Sequence, residues 1–224
     1  MRRSIFALII AALLSWQTTA LAASSSEQQL IDQARIAVDQ LRGDPNMSDF
    51  AAFLIRAKAV IVVPELVKAS FFIGGEGGSG VLLVRDSESR EWSYPAFYTL
   101  ASASIGLQFG AQVSKVMFLI MTDGGLKAMM IDKLTLGADI SIAAGPVGAG
   151  VEASTTSNAD ADIYSFSHSK GLFGGVSFEG AVLVPNDDAN EAYYSKAISA
   201  RGIVIHREVE NANADGLRAA LVTE

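Results

Sequence analysis

The sequence predicts a single α+β domain with a mostly antiparallel sheet that is curled into a sandwich or an open barrel. Short β-rich runs recur at regular spacing through the middle of the 224-residue chain, and segments with helical periodicity lie near its N-terminus and its C-terminus. Short, evenly spaced strands with helices at the two ends are typical of such α+β folds. The chain contains no Pro/Ser-rich linker and no charge block, so we expect one domain.

Residues 1–22 have the sequence of a cleavable secretory signal. Two arginines precede an apolar run from residue 5 to residue 14, and the segment ends in Ala-Leu-Ala. A charged start, a short apolar core and a small-residue cleavage site are the parts of such a signal. The apolar run is shorter than the roughly 20 residues of a membrane-spanning helix, which makes an uncleaved anchor the weaker alternative. We expect cleavage after Ala22, a mature domain over 23–224, and a periplasmic location.

The charge balance limits which ligands the chain could bind. Lys plus Arg number 17 against 24 Asp plus Glu, for a net charge of −7, and removal of the signal's two arginines would lower the 17 to 15 and the net charge to −9. A chain this acidic is a poor general binder of nucleic acid or of anionic bilayers, so an anion site must be a local basic cluster. The sequence has no cysteine, which excludes disulfides, thiol catalysis and lipidation at a signal cysteine.

Helical segments are predicted at both ends of the mature chain. Apolar residues recur at helical spacing within 24–45, where Ser25 or Ser26 can cap the helix and Gly43 and Pro45 end the pattern. A shorter helix over 48–58, capped by Ser48, has Phe50 and Phe53 on one side, and we expect that side to cover the sheet rather than lie on a membrane. A short helix is predicted within 122–133. Near the C-terminus we expect a helix capped by Asp188 and a last helix over 214–223.

Between the terminal helices the sequence has the character of β-strands. The predicted strands are Val60–Val63, Ala69–Ile73, Val81–Val84, 104–114, Val116–Met121, 134–154, 161–169 and 175–185. Residues 104–114 alternate strictly, so we expect Ile105, Leu107 and Phe109 to face a packed core, with Gln108 and Gln112 on the opposite face. Val116–Met121 is apolar on both faces, which predicts a central strand.

Gly74–Gly80, with the sequence GGEGGSG, contains a G-x-G-x-x-G pattern. A dinucleotide-binding loop leads from a strand into a helix, whose N-terminus meets the pyrophosphate. Here the segment leads into Val81–Val84, which is β-rich. We therefore predict a turn between two strands, in which the glycines supply positive φ angles, and no nucleotide binding.

Other patterns that resemble chemical motifs are incomplete. Asn158, Asp160 and Asp162 imitate the start of a calcium-binding loop, but the required glycine and the final glutamate are missing. Residues 167–170 read S-x-x-K at the end of a predicted strand, whereas the β-lactamase motif opens a helix. We expect no metal site, no cofactor and no enzymatic activity.

Four segments in order resemble the SYLF domain family. They are 57–86, 92–112, 134–148 and 164–194, and the similarity extends roughly from Ala57 to Arg207. The resemblance implies a lipid-binding domain. Eukaryotic members of the family join it to SH3 or FYVE modules, bind phosphoinositides and, in fungi, bind actin, whereas bacterial members are exported and often stand alone. This sequence carries no SH3 or FYVE module.

The resemblance also implies candidate site residues. The basic residues in the matching segments that could contact an anionic headgroup are Lys58, Lys68, Arg85 and Lys170. We therefore expect a non-catalytic module of the cell envelope that recognises anionic phospholipid. Two alternatives are a structural or protein-interaction component of the periplasm without a lipid ligand, and a hydrolase with an unrecognised Ser/His/Glu site. The expected partner is anionic phospholipid or a membrane surface, with no nucleic acid and no nucleotide, and protein partners stay open.

Overall fold

The computed structural model describes residues 26–47, 49–145, 161–169 and 178–222, excluding the side chains of 69–74, 103–112 and 169. The helices are α1 (26–43), α2 (Phe50–Arg56), α3 (Asp123–Ala128), α4 (Asp187–Tyr194), α5 (Ala200–Val204) and α6 (Asp215–Ala220). The strands are β1 (Ala59–Val84), β2 (Ala96–Ile120), β3 (Leu134–Thr135), β4 (Ile142–Ala144), β5 (Ile163–Ser169) and β6 (Val182–Pro185).

The α+β class and the mostly antiparallel sheet are confirmed. The six strands form one sheet in the order β3-β6-β2-β5-β4, with β1 paired to β2. The pairs of β2 with β1, β5 and β6 are antiparallel, as is β3 with β6, and β4 runs parallel to β5. The sheet curls so strongly that the two ends of β1 meet. The N–H of Arg85, just after β1, donates to the carbonyl of Lys58, just before β1, at 2.8 Å.

A long hairpin replaces the separate short strands that the sequence predicts. Val60–Val63 and Val81–Val84 both belong to the 26-residue strand β1, which pairs with β2 from Ala59 opposite Ile120 to Leu82 opposite Ala96. A straight strand of that length would measure about 85 Å. Register shifts between Val63 and Leu66 and between Ser70 and Phe72 interrupt the pairing. Such irregularities bend a strand, which allows the hairpin to curl within one domain.

The prediction of a turn at Gly74–Gly80 is wrong, because the segment lies inside β1 and the strand continues to Val84. Two of its glycines, Gly78 and Gly80, lie where the strand closely approaches its own backbone. A Cβ at Gly78 would lie 2.5 Å from the carbonyl oxygen of Glu65, and one at Gly80 would lie 2.8 Å from that of Val62. Any larger residue would collide with that backbone, so glycine is required for contact rather than for a positive φ.

At the two ends of β1, the two faces of the sheet are buried in two separate hydrophobic cores. One core lies under α1, α2 and α6 and includes Val60, Val62, Val81 and Leu83; the other includes Ile61, Val63, Leu82, Val84 and residues of β3, β6 and α5. Alternate strand residues point to opposite faces, so both sets of positions must be apolar. This explains the continuous apolar runs at the two ends of β1.

The helices form largely where their periodicity predicts. In α2, Phe50 and Leu54 are fully buried against the first core, which confirms that this helix covers the sheet. Ser48 lies outside the described residues. The predicted cap of α4 is wrong, because the helix begins at Asp187 and the side chain of Asn186, rather than that of Asp188, accepts the N–H of Ala189 at 3.0 Å.

The alternating segment 104–114 lies within strand β2. Residues 105, 107, 108, 109 and 112 belong to strand β2, as expected, but the directions of their side chains lie outside the described residues. The short helix α5 has no counterpart among the predicted elements. None of the helices in the described part of the chain combines the length and the apolar character of a bilayer-spanning segment.

Candidate functional site

A cleft of about 460 Å³ opens where the two ends of β1 meet the start of α3 and the end of α5. More basic than acidic side chains line it. The basic ones are Arg56, Lys58, Arg85, Arg90 and Arg207, and the acidic ones are Asp86 and Asp123. We call this feature the basic cleft. It is a concentration of positive charge in a chain whose formal net charge is −7.

Arg85 anchors the end of α2 at the inner side of the cleft. Its Nη2 donates to the carbonyls of Leu54 at 3.2 Å, Ile55 at 2.5 Å and Ala57, and its guanidinium stacks 5.0 Å from the ring centre of Trp92. Burial, with the charge of Arg90 as the second cause, lowers the pKa of Arg85 to about 10, so the side chain stays charged at neutral pH. Basic side chains commonly bind the last carbonyls of a helix in this way.

Arg90 and Arg207 are held at the rim in left-handed backbone conformations. Their φ angles are 65° and 53°, and Ser195 is the one other non-glycine residue with a positive φ in the described part of the chain. Arg90 Nη2 donates to the carbonyl of Ile55 at 2.9 Å, and Arg207 Nη2 donates to that of Glu91 at 2.8 Å. A left-handed conformation costs about 1–2 kcal/mol for such a residue, and strained residues of this kind cluster at functional sites.

Lys58 meets a carboxylate inside the cleft. Its Nζ lies 2.7 Å from Oδ1 of Asp123, and the two side chains are 41% and 74% exposed. The hydrogen bond from Lys58, together with its charge, lowers the pKa of the Asp123 carboxyl. The other acidic residue, Asp86, accepts the N–H groups of Ser89 and Glu88 in its own turn at 2.8 and 2.9 Å. Asp123 is therefore paired with a cation of the cleft, whereas Asp86 is bound by backbone N–H groups of its own turn.

The structure brings together two of the four predicted site residues. Lys58 and Arg85 both line the basic cleft, whereas Lys68 is not among its lining residues. Lys68 lies within β1, and its Nζ is 4.0 Å from Oε2 of Glu76, a carboxylate that is only 5% exposed. Lys170 lies outside the described residues.

Sequence reasoning missed three further cations of the cleft. Arg56 precedes the first matching segment, Arg90 lies between two of them, and Arg207 lies at the end of the similarity. Curling of the hairpin brings these distant positions into one cleft. The sequence offers one indirect signal, because Arg90 follows Asp86 in the polar stretch DSESR, which is typical of a turn.

The residues of the calcium-like motif and of the S-x-x-K pattern have other contacts. Asp162 accepts hydrogen bonds from the hydroxyls of Thr122 and Ser141, and these bonds lower the pKa of its carboxyl. Nδ1 of His168 lies 2.8 Å from Oδ2 of Asp44, which joins β5 to the chain just after α1. Asn158 and Asp160 lie outside the described residues. The described ranges hold no cluster of three His, Asp or Glu side chains that could bind a metal.

A second cleft of about 370 Å³ lies beside α1 and α4 and has a different charge. Its charged lining residues are Glu27 and Glu65, and the rest of its lining is neutral, including Gln33, Ser79 and Asn186. This lining gives an anion no positive charge to bind. Of the two clefts, the basic cleft is therefore the one suited to a negatively charged ligand.

Comparison with known proteins places the chain in a family. The family model described as Ysc84, Las17-binding protein actin regulator, matches residues 101–223, more than half of the chain. LAS seventeen-binding protein 3 of Saccharomyces cerevisiae is 33% identical over 157 residues, which cover 69% of this chain and 34% of the relative. SH3 domain-containing YSC84-like protein 1 of Homo sapiens is 29% identical over 177 residues, which cover 79% of this chain and 51% of the relative.

The chain spans about a third to a half of the length of the curated relatives it matches. The family description and the name of the yeast relative refer to binding, of Las17 in both cases. These descriptions agree with a binding role rather than a catalytic one. The resemblance that the sequence segments carry is thus confirmed, and this chain belongs to the Ysc84 family, the family of SYLF domains.

Proposed function

We propose that this chain is a non-catalytic module that binds the headgroups of anionic phospholipids at the basic cleft, after export to the periplasm. The observation that carries the proposal is the convergence of five basic side chains on one cleft of about 460 Å³. That volume lies within the usual range of ligand pockets, roughly 300–1,000 Å³. The export step rests on the signal-like sequence of residues 1–22.

The chemistry of the cleft suits a phosphate group. A guanidinium is a planar fork with five N–H donors, and it matches the oxygen atoms of phosphate in a bidentate manner. Arg90 and Arg207 each use one nitrogen on a backbone carbonyl, which orients the side chain. Their other donors are the ones we assign to a phosphate at the rim.

The balance of charge predicts weak, salt-sensitive binding. Five basic and two acidic side chains leave three uncompensated positive charges in the cleft. Each contributes about 1 kcal/mol near an anionic membrane, so the cleft supplies about 3 kcal/mol, a contribution of millimolar order. Exposed charges are screened over about 8–10 Å at physiological salt, so added salt should weaken the binding. The attraction at the cleft also competes with the repulsion between the acidic remainder of the chain and an anionic surface.

A second candidate is a protein-interaction module without a lipid ligand. The observation that favours it is the family description, together with the name of the yeast relative, both of which specify Las17 binding. An acidic protein segment could engage the same cations as a phosphate. The two candidates differ in whether a protein-free bilayer is enough for binding.

Co-sedimentation with liposomes tests the proposal. The exported protein, with its N-terminus verified by mass spectrometry, is mixed with vesicles of phosphatidylglycerol and phosphatidylcholine or of phosphatidylcholine alone, at low and high salt. We expect sedimentation with the anionic vesicles at low salt, weakened by salt. The double variant Arg90→Gln, Arg207→Gln should lose most of it, whereas the double variant Lys68→Gln, Lys133→Gln should retain it as a control of equal charge.

Equal sedimentation with neutral and anionic vesicles would contradict an electrostatic headgroup site. A loss in the Lys68→Gln, Lys133→Gln control as large as in the cleft variant would place the binding elsewhere. The absence of sedimentation in every condition would favour the protein-interaction module.

A further inference from the structure

The ion pair between Lys58 and Asp123 is the tightest in the described part of the chain. Its 2.7 Å separation compares with 2.8–4.0 Å for the others. Both partners line the basic cleft. A carboxylate is therefore already bound to one of the five basic side chains that line the cleft.

The backbones on both sides of this pair are fixed by the fold. The N–H of Lys58 donates to Ile120 and its carbonyl accepts from Arg85, each at 2.8 Å. Asp123 is the first residue of α3, and the side chain of the preceding Thr122 accepts the N–H of Gly125 at 2.9 Å. The pair is therefore set in position by the ends of both long strands and by the start of a helix.

The two side chains, in contrast, are exposed to solvent. Asp123 is 74% exposed and its carboxylate has Lys58 as its close basic partner, with the charge of Lys127 as a smaller influence on its pKa. Rotation of this side chain would release Lys58 without any movement of the backbone. Asp86 differs, because its carboxylate accepts two backbone N–H groups and the hydroxyl of Ser89 in its own turn.

We infer that Asp123 is an internal competitor that occupies Lys58 in the free protein and that a lipid phosphate displaces when it enters the basic cleft. This inference rests on the proposed function and names a residue that limits its affinity. An exposed ion pair contributes little to folding stability, so breaking the pair should change binding without unfolding the domain. Asp123 thus weakens the attraction of the cleft for anions and narrows binding to surfaces of high negative charge.

The substitution Asp123→Asn tests the inference, with Glu191→Gln as its matched control. Both remove one negative charge, but Glu191 is an exposed residue of α4 that is not among the lining residues of the cleft. With vesicles of phosphatidylglycerol in phosphatidylcholine, we expect Asp123→Asn to tighten binding about five-fold, the factor that one charge contributes at an anionic membrane. Glu191→Gln should change it less than about two-fold, because a distant exposed charge is screened.

A double-mutant cycle with Lys58→Gln separates displacement from a general change of charge. If Asp123 acts by occupying Lys58, most of the gain from Asp123→Asn should disappear in the Lys58→Gln background. An equal gain with and without Lys58 would overturn the inference, as would a gain no larger than that of Glu191→Gln. Equal thermal unfolding midpoints of the variants would show that the fold is intact.

The outcomes also separate this inference from the proposed function. If the wild type binds anionic vesicles in a salt-dependent manner and Asp123→Asn adds nothing, the inference fails and the proposed function stands. If neither protein binds, both fail. If Asp123→Asn binds and the wild type does not, lipid does not displace Asp123 in the wild type, and the inference is overturned.

Discussion

Asp162 shows how one carboxylate can join three parts of the chain. It lies just before β5, accepts the hydroxyl of Thr122 at the start of α3, and accepts the hydroxyl of Ser141 just before β4 at 2.6 Å. Its own N–H donates back to Ser141 at 2.9 Å. The sequence placed this residue in the predicted strand 161–169, whereas β5 begins one position after it, at Ile163. The sequence could not identify its partners, because they lie 21 and 40 positions away.

Stability should depend on pH through this carboxylate. Hydrogen bonds from Ser141 and Thr122 lower the pKa of Asp162 in the folded state. A lowered pKa means that the stabilisation is present above the unfolded value of about 4 and is lost as the pH falls through the folded value. The variant Asp162→Asn should therefore unfold about 1 kcal/mol more easily than the wild type at pH 7, and the difference should shrink towards pH 3.

Urea unfolding at the two pH values measures this difference, and Asp132→Asn is the control because Asp132 is exposed. The control should match the wild type at neutral pH. A difference between Asp162→Asn and the wild type that is the same at pH 3 as at pH 7 would contradict the role of the ionised carboxylate.

At the scale of elements, helices were easier to predict than strands. The buried stripe of α1, which includes Ala34, Val38 and Leu41, repeats at helical spacing, so the sequence alone determines which side is covered. The glycines of β1, in contrast, do not by themselves show whether the chain turns or continues as a strand. Glycine is required both in turns and where two backbones approach, and the approach of Gly78 and Gly80 to Val62–Glu65 is a contact between distant positions.

The glycines of β1 should differ in their tolerance of a methyl group. Gly80→Ala would place Cβ 2.8 Å from the carbonyl oxygen of Val62, whereas Gly77→Ala would place it 3.6 Å from that of Leu100, an ordinary contact. We expect Gly80→Ala to lower the free energy of unfolding by about 1–3 kcal/mol, the usual cost of overpacking. Gly77→Ala should cost less than about 0.5 kcal/mol.

Chemical denaturation of the two variants provides the measurement. Both substitutions remove a glycine from the same strand, so general effects on the unfolded chain are shared. Equal midpoints would show that the strand does not approach itself closely at Gly80.

At the scale of the whole molecule, the curled hairpin creates the basic cleft. Arg85 and Lys58 meet there because the two ends of β1 are joined by a backbone hydrogen bond. The sequence identified these two residues through their positions in family-like segments. It could not place Arg207 with them, since that contact depends on how α5 packs beside the hairpin, and it included Lys68, which lies elsewhere on β1.

Hydrogen–deuterium exchange in the presence of vesicles shows which segments of the protein anionic lipid contacts, and we expect these to be the segments of the basic cleft. Exchange of the exported protein is compared with and without vesicles that contain phosphatidylglycerol. We expect slower exchange at 54–58, 85–91 and 204–208, which contribute residues to the cleft, and unchanged exchange in α4 and around Lys68. Protection confined to other segments, or no protection while the protein sediments with the vesicles, would contradict this expectation.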